Sequence, residues 1–387
     1  MRFITILLAF MSSLFVGGIA AYHVWQHQSF TWDLPKEIPP PPVPEDNPMH
    51  PAKVNLGRFL FYDTRLSQNQ QISCATCHIQ KLAFSEPRTL SQGLHGNLTP
   101  RNAMSLTNVA YNPNFTWANP LLTQLEHQML IPLFGEEPPE MGMAGQEKEL
   151  VERLQQVPIY QSYFSKAFPN EDNPISINNM IKAISSFQRT LLSFNSPYDQ
   201  YLQGEHQAIS DSAKRGMKLF FSEKTECFHC HGGFNFSDSS VHANSRTVPS
   251  EFHNNGLYNL DGKGSYPKDN RGLYTFTLNA SDMGKFRAPT LRNIRVTAPY
   301  MHDGSIATLE DVLEHYVDGG RTILEGPNKG FGSANPYKSE FVVGLILTDE
   351  QKSDLLAFLD SLTDEDFLTN EQFTNPWPLL QEESASH

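Results

Sequence analysis

The chain has 387 residues, with 42 acidic against 29 basic side chains and a formal net charge of −13. Since a domain commonly holds about 150 residues, this length predicts two domains and some extra chain. The 26 Phe and 13 Tyr supply ample core material and argue against a mainly disordered protein. The acidic balance argues against nucleic-acid binding, which needs a basic face, and leaves basic proteins open as partners.

The N-terminal segment, residues 1–28, has Arg2 ahead of an apolar run over residues 3–21. Small residues end that run, which predicts a secretory signal peptide cut near Ala20. Because the run is about 19 residues long, an uncleaved membrane anchor stays open as the alternative. The Pro-rich segment that follows, residues 29–48, is predicted to be an extended linker to the first domain.

All four cysteines fall in two copies of one motif, CATCH at 74–78 and CFHCH at 227–231. C-x-x-C-H is the attachment motif of c-type haem. A disulfide framework needs no histidine after each pair, and a zinc site would place its pairs about 15–20 residues apart rather than the roughly 150 found here. The motifs predict two covalent haems, outside the cytoplasmic membrane and hence periplasmic, held by Cys74, Cys77 and His78 and by Cys227, Cys230 and His231.

The surroundings of the two motifs repeat each other. GRFLFY precedes the first motif and GMKLFF the second, while RNAMSLTN follows the first and RAPTLRN the second. The repeat predicts an internal duplication, in which two haem domains share one design. The predicted units are a linker at 29–48, an N-terminal haem domain at 49–205, a C-terminal haem domain at 206–375 and a tail at 376–387.

The predicted fold class is mainly α, with two cytochrome c-like haem domains and long irregular loops. Apolar spacing near 3.6 predicts helices over Glu147–Gln156, Ile177–Leu192 and Ser210–Phe221. Ser210 and Thr348 have the residue types of helix starts. Matching helical stretches are expected in the two halves, at 122–130 and at 309–316.

These motifs together resemble the bacterial di-haem cytochrome c peroxidase and MauG superfamily, over residues 46–375. The segments that carry the resemblance are LGRFLFYDTRLS, SCATCH, PRNAMSLTNVAY, PEMG, ECFHCHGGFNFS and FRAPTLRNIRVTAPYMHDGSIATLEDVLEHY. Within the superfamily, PPPPVPEDNPM, WANPLLTQLEHQMLIPLFGE and CFHCHGGFNFS are most similar to the MbnH-type enzymes of copper-chelate gene clusters.

The resemblance implies that the haem on His78 reacts with hydrogen peroxide on an open distal face, bordered by the loop 91–101. Some relatives place a sixth-ligand histidine in this loop, and His95 sits one residue away from that position, so we interpret it as a loop residue. Gln128 and Glu140 match the distal Gln and Glu of the family. A carboxylate there can move a proton between the two peroxide oxygens.

Two neighbouring acids compete with Glu140 for this role. Glu136 and Glu137 are too near in sequence for spacing alone to choose among the three carboxylates, and an exposed loop acid is the alternative for Glu140 itself. The EMG context favours Glu140. Trp117 matches the family's tryptophan between the haems, an electron relay, although core packing is the usual role of a Trp. Where many relatives read W-D-G-R, this chain reads WANP.

The second haem, on His231, is expected to be six-coordinate. Tyr316, found 14 residues after His302, takes the position that carries Met in conventional peroxidases and Tyr in MauG. We therefore predict Tyr316 as the sixth ligand, with Met301 and His315 as alternatives. A phenolate favours higher oxidation states of iron, whereas a thioether favours the ferrous form. The family also implies a calcium ion between the haems, held by the side chain of Asn102 and the carbonyl groups of Thr297 and Pro299.

The predicted function is that of a periplasmic di-haem oxidoreductase, which uses hydrogen peroxide to reach a high-valent state and oxidise a partner. In the MbnH-like hypothesis the partner is a secreted copper-binding protein, whose tryptophan becomes kynurenine. In the alternative, a small cytochrome c or cupredoxin reduces the enzyme, which then only removes peroxide. A di-haem electron carrier with both irons closed is the non-enzymatic hypothesis.

Overall fold

Helices carry most of the regular structure, and long loops connect them. The computed structural model describes residues 30–378. The predicted export or anchor segment lies outside these described residues. Within them, none of the helices has the length and apolar character needed to cross a bilayer.

Fourteen α-helices and one short hairpin are found in residues 30–378. The helices are α1 Pro51–Phe61, α2 Cys74–Cys77, α3 Leu125–Gln128, α4 Leu130–Phe134, α5 Glu147–Gln155, α6 Pro158–Ala167, α7 Ile177–Arg189, α8 Pro197–Leu202, α9 Asp211–Phe220, α10 Cys227–His231, α11 Tyr274–Thr277, α12 Leu309–Val317, α13 Asp349–Asp360 and α14 Glu365–Thr369. Strands β1 Thr322–Ile323 and β2 Gly330–Phe331 pair antiparallel, with Thr322 opposite Phe331. The mainly helical fold class is confirmed.

The sequence predictions of helix starts hold in detail. Ser210 caps α9, where its side chain accepts from the backbone N–H of Ala213. Thr348 caps α13 in a capping box with Gln351. The helix expected at 122–130 is wrong in extent, because the chain forms the two short helices α3 and α4 instead. The carbonyl oxygen of Leu122 accepts from the backbone N–H of Phe115 at 2.7 Å, which keeps Leu122 in a loop.

Each half of the chain contains two long helices that pack together at a glycine. α1 packs on α7, and a Cβ added to Gly57 would lie 1.9 Å from the carbonyl oxygen of Ala183. α9 packs on α13, and a Cβ added to Gly216 would lie 1.8 Å from the carbonyl oxygen of Asp354. No side chain fits at either distance. The close approach explains why GRFLFY and GMKLFF both begin with Gly.

The C-terminal segment, residues 364–378, packs on the first half of the chain. Phe367 and Phe373 join the hydrophobic core formed mostly by residues 56–191. The indole N–H of Trp377 donates to the carbonyl oxygen of Phe59 at 3.1 Å. The domain boundaries remain a prediction, and this segment shows that the first core includes residues from the far end of the chain.

The Pro-rich segment also contacts both halves. The hydroxyl of Tyr111 donates to the carbonyl oxygen of Pro39 at 2.8 Å. The backbone N–H of Ala243 donates to the carbonyl oxygen of Pro40 at 2.9 Å. The described part of this segment therefore packs along the surface of both halves.

Candidate haem sites

The first C-x-x-C-H motif forms α2, and His78 follows it directly. Ser73 and Thr76 close a capping box at the start of this helix. The His78 ring donates from Nδ1 to the carbonyl oxygen of Phe84 at 2.7 Å. Since a carbonyl can only accept, this bond selects the tautomer that presents Nε2 as a ligand.

Phe84 has a φ of 58°, which is uncommon for a residue other than glycine. Its ring is fully buried, and the centroid lies 6.0 Å from that of Phe61 and 5.7 Å from that of Phe367. Packing of the ring therefore holds the backbone that orients His78.

The second motif repeats this arrangement in α10. The His231 ring approaches the carbonyl oxygen of Phe236 with Nδ1 at 3.2 Å. Phe236 has a φ of 49° and a side chain that is 1% exposed. Its ring packs against Tyr198 and Phe220 at centroid distances of 5.3 Å and 6.0 Å. The histidine of each motif is thus oriented by a buried phenylalanine in the left-handed conformation.

A cavity of about 210 Å³ lies beside the second motif. Its wall contains Cys227, Cys230 and His231 from the second motif. It also contains Met301 and Tyr316, which come from distant segments. Leucine, isoleucine and valine side chains form much of the remaining lining. Two thiols, an oriented imidazole, a phenol and apolar walls fit a covalently attached tetrapyrrole.

The three candidate sixth ligands differ in position. Tyr316 and Met301 line the large cavity. The Nε2 of His315 instead contacts the backbone carbonyl oxygen of Asn255 at 3.0 Å. Burial raises the pKa of Tyr316 to about 12, although a hydrogen bond with the Asn255 side chain acts in the opposite direction and lowers this pKa. The structure favours Tyr316 or Met301 over His315.

Asn255 contacts two of the candidate ligands on this wall, and the sequence analysis did not single it out. Its amide group donates to the Met301 sulfur at 3.3 Å and also bonds to Tyr316. No motif marks this asparagine, because its partners lie about 46 and 61 residues further along the chain.

Trp117 lies on the wall of the large cavity and also of a second one, of about 70 Å³. Its indole N–H donates to the carbonyl oxygen of Asn102 at 2.8 Å. Asn102, Thr297 and Pro299, the three residues of the predicted calcium site, all line the smaller cavity. The fold thus brings these residues together beside Trp117.

Glu140 is partly buried and lies near the first motif, whereas Glu136 and Glu137 are exposed. Burial, and then the Glu86 carboxylate, raises the pKa of Glu140. The Glu140 carboxylate also interacts electrostatically with the thiols of Cys74 and Cys77.

Gln128 belongs to a different element from Glu140. It is the last residue of α3, and the next helix, α4, is tied to the segment of Glu140. The backbone N–H of Met141 donates to the carbonyl oxygen of Pro132 at 3.0 Å. The structure therefore places Gln128 and Glu140 on adjoining segments.

Another acid, Glu86, lies buried in this region, and the sequence analysis did not single it out. It is 2% exposed, accepts a hydrogen bond from the Ser91 hydroxyl and interacts electrostatically with Cys77. Burial raises the pKa of Glu86. Ser91 begins the loop predicted to border the first haem, and His95 in the same loop is exposed, as a loop residue is expected to be.

Comparison with known proteins places this arrangement in a family. The family model of di-haem cytochrome c peroxidase matches residues 51–207. The chain is 35% identical to the methylamine utilization protein MauG of Methylorubrum extorquens, over 83% of this chain and 81% of that protein. It is 31% identical to the cytochrome c551 peroxidase of Pseudomonas aeruginosa, over 70% of this chain and 75% of that protein.

A solved structure extends the likeness to three dimensions. The crystal structure of a MauG-like protein associated with microbial copper homeostasis superposes with a TM-score of 0.88 and 52% sequence identity. The match covers 90% of this chain and 99% of that chain. Relatives of this kind are oxidoreductases that act with peroxide, and the family implies two c-type haems. The chain belongs to the di-haem cytochrome c peroxidase and MauG family.

Proposed function

We propose that this protein is a periplasmic enzyme that uses hydrogen peroxide to oxidise a tryptophan of a secreted copper-binding protein to kynurenine. The observation that carries the proposal is the 52% identity, along nearly all of its length, to a MauG-like protein associated with copper homeostasis. Tyr316 on the wall of the large cavity adds support, since a phenolate donor suits an oxidising centre better than an electron entry point.

In this proposal one haem would be held by Cys74, Cys77 and His78. The other would be held by Cys227, Cys230 and His231, with Tyr316 as a further ligand. When bound, the haems would supply the redox chemistry that carries the oxidising equivalents of peroxide to the partner. The carbonyl oxygens of Phe84 and Phe236 fix the tautomers of the two proximal histidines.

At the first haem, Glu140 takes a proton from one peroxide oxygen and returns it to the other. Its partly buried position and raised pKa suit a group that must both gain and lose a proton. Gln128, on the adjoining segment, would position the peroxide by hydrogen bonding.

Trp117 connects the two sites in this proposal. It lines both cavities, and its indole N–H is engaged by the Asn102 carbonyl oxygen. A calcium ion held by Asn102, Thr297 and Pro299 would brace the same region, because the small cavity brings their oxygen-bearing groups together. The matched helix pairs at Gly57 and Gly216 support an origin by duplication.

The test is a peroxide titration of the purified holoprotein together with a secreted copper-binding protein. Mass spectrometry should locate the change from tryptophan to kynurenine in one peptide of that partner. EPR of the ferric holoprotein should show one high-spin and one low-spin haem. Two low-spin haems without a peroxide reaction would exclude the enzymatic proposal.

The conventional peroxidase is the second candidate function. Met301 favours it, since this thioether shares the cavity wall with Tyr316. Rapid peroxide turnover with a reduced small cytochrome c, and no change in the copper-binding protein, would select this alternative.

A further inference from the structure

Three arginines are buried in residues 30–378, and one of them has no carboxylate partner. Arg189 forms two hydrogen bonds of 2.8 Å with Glu126, and Arg292 forms two of 2.8 Å and 3.0 Å with Asp199. Arg287 is as buried as these two, at 3% exposed, yet it takes part in none of the ion pairs of the described chain. A guanidinium buried without an anion is costly.

The hydrogen bonds that Arg287 does make leave its charge uncompensated. One terminal nitrogen donates to the Asn112 side-chain oxygen at 3.1 Å, and the other lies 3.8 Å from the Met104 sulfur. Its Nε is buried and has no partner. Burial lowers the pKa of Arg287 to about 10, and Asp238 offsets this only in part. The buried guanidinium therefore needs an anion, and none of the described side chains provides one.

The position of Arg287 indicates which anion is missing. Its side chain lines the large cavity together with His231, and it lines the small cavity as well. Its backbone N–H donates to the Trp117 carbonyl oxygen at 2.9 Å. A tetrapyrrole of the haem type carries two propionate carboxylates, and a guanidinium binds a carboxylate with paired N–H donors.

We propose that Arg287 binds a propionate carboxylate of the haem held by His231, and so fixes that haem beside Trp117. This proposal rests on the proposed function, in which His231 holds a haem. Arg287 is a cofactor-positioning residue here, and its positive charge stabilises the reduced, less positive state of the nearby iron.

The test compares Arg287→Met, which removes the charge, with Arg287→Lys, which keeps a charge but loses the fork of donors. Both are measured as holoproteins by potentiometric titration and by resonance Raman spectroscopy of the propionate bending bands. The matched control is Arg295→Met, because Arg295 is a half-exposed neighbour with its own partners Glu310 and Asp360.

Arg287→Met should lower the reduction potential of the second haem more than that of the first, and Arg287→Lys should lower it less. Both variants should shift a propionate band, and Arg295→Met should change neither quantity. If Arg287→Met fails to accumulate, the Raman band of Arg287→Lys decides alone. An unchanged band and potential with both haems attached would overturn the proposal.

A free carboxylate from solution is the other source of the same chemistry. In that case the potential of the unmodified protein would depend on acetate concentration, which would also overturn the proposal. Failure of the proposed function can be told apart from failure of the Arg287 proposal. In that case the unmodified protein would carry no covalent haem on the second motif.

Discussion

The two C-x-x-C-H sites orient their histidine in the same way, but they differ in the ionisable side chains that surround it. Both histidines meet the carbonyl oxygen of a buried phenylalanine at positive φ, at 2.7 Å in the first half and 3.2 Å in the second. Around the first site lie two carboxyl groups whose pKa is raised by burial, Glu86 and Glu140. Around the second lie a phenol and a buried guanidinium, Tyr316 and Arg287.

This difference teaches how one scaffold supports two kinds of chemistry. The histidine supports are local and repeat with the motif. Of the facing groups, Glu86 is local as well, whereas Glu140, Arg287 and Tyr316 come from segments far along the chain. Carboxyl groups with raised pKa values suit proton transfer to a small substrate. A phenol and a guanidinium suit a closed site that stores charge.

Glu140→Gln should have the largest effect, because it removes the proton carrier from the first site only. We expect the rate of the peroxide reaction to fall by about 10²–10⁴-fold, with both haems still attached. Stopped-flow spectroscopy measures this rate. Glu137→Gln is the matched control, since Glu137 is exposed in the same segment. A normal rate in Glu140→Gln would assign proton transfer to another group.

Tyr316→Met should act on the second site only. A thioether ligand favours ferrous iron, so the reduction potential of the second haem should rise by a sizeable part of the ~0.8 V range that axial ligands span. Spectroelectrochemistry measures the potential of each haem. Met301→Leu is the control and should leave both potentials in place. If Met301→Leu changes the second haem and Tyr316→Met does not, Met301 is the ligand.

Phe373→Ala tests whether the C-terminal segment belongs to the first site. Phe373 packs on Phe84 with ring centroids 6.4 Å apart, and deleting a buried Phe ring costs about 3–5 kcal/mol. We expect a lower melting temperature and a changed EPR signal of the first haem. Phe221→Ala is the mirror control, because Phe221 packs on Phe236 at 6.2 Å but is 40% exposed. Equal changes at both haems would refute this division.

Glu86→Gln should have the smallest effect, a shift in a pH profile. The base form of Glu140 is needed, and its pKa is raised, so the peroxide rate should fall as the pH drops through that raised value. Removing the Glu86 charge lowers the pKa of Glu140, so the variant should keep its activity to lower pH. The rate constant measured against pH checks this. A profile that is unchanged, or displaced to higher pH, would contradict the coupling of the two carboxyl groups.

The haem motifs were predictable because their chemistry is local. Two thiols and a histidine lie within five residues, so the spacing alone names the cofactor. Thr348 and Ser210 were predictable as helix starts for the same reason, since a cap bonds within its own first turn. The helix expected at 122–130 failed because a backbone bond from Phe115 holds Leu122 in a loop.

The sequence by itself determined two c-type haem motifs and a mainly helical chain. It also determined a short set of candidate acids near the first motif and of candidate ligands near the second. Only the tertiary structure decided that Glu140 is partly buried while Glu137 is exposed, and that the Nε2 of His315 contacts a backbone carbonyl oxygen and not the cavity. Only the tertiary structure revealed the buried charge of Arg287. The physical reason is that burial and electrostatic coupling depend on groups brought together from distant segments, whereas covalent attachment and capping depend on neighbours in the chain.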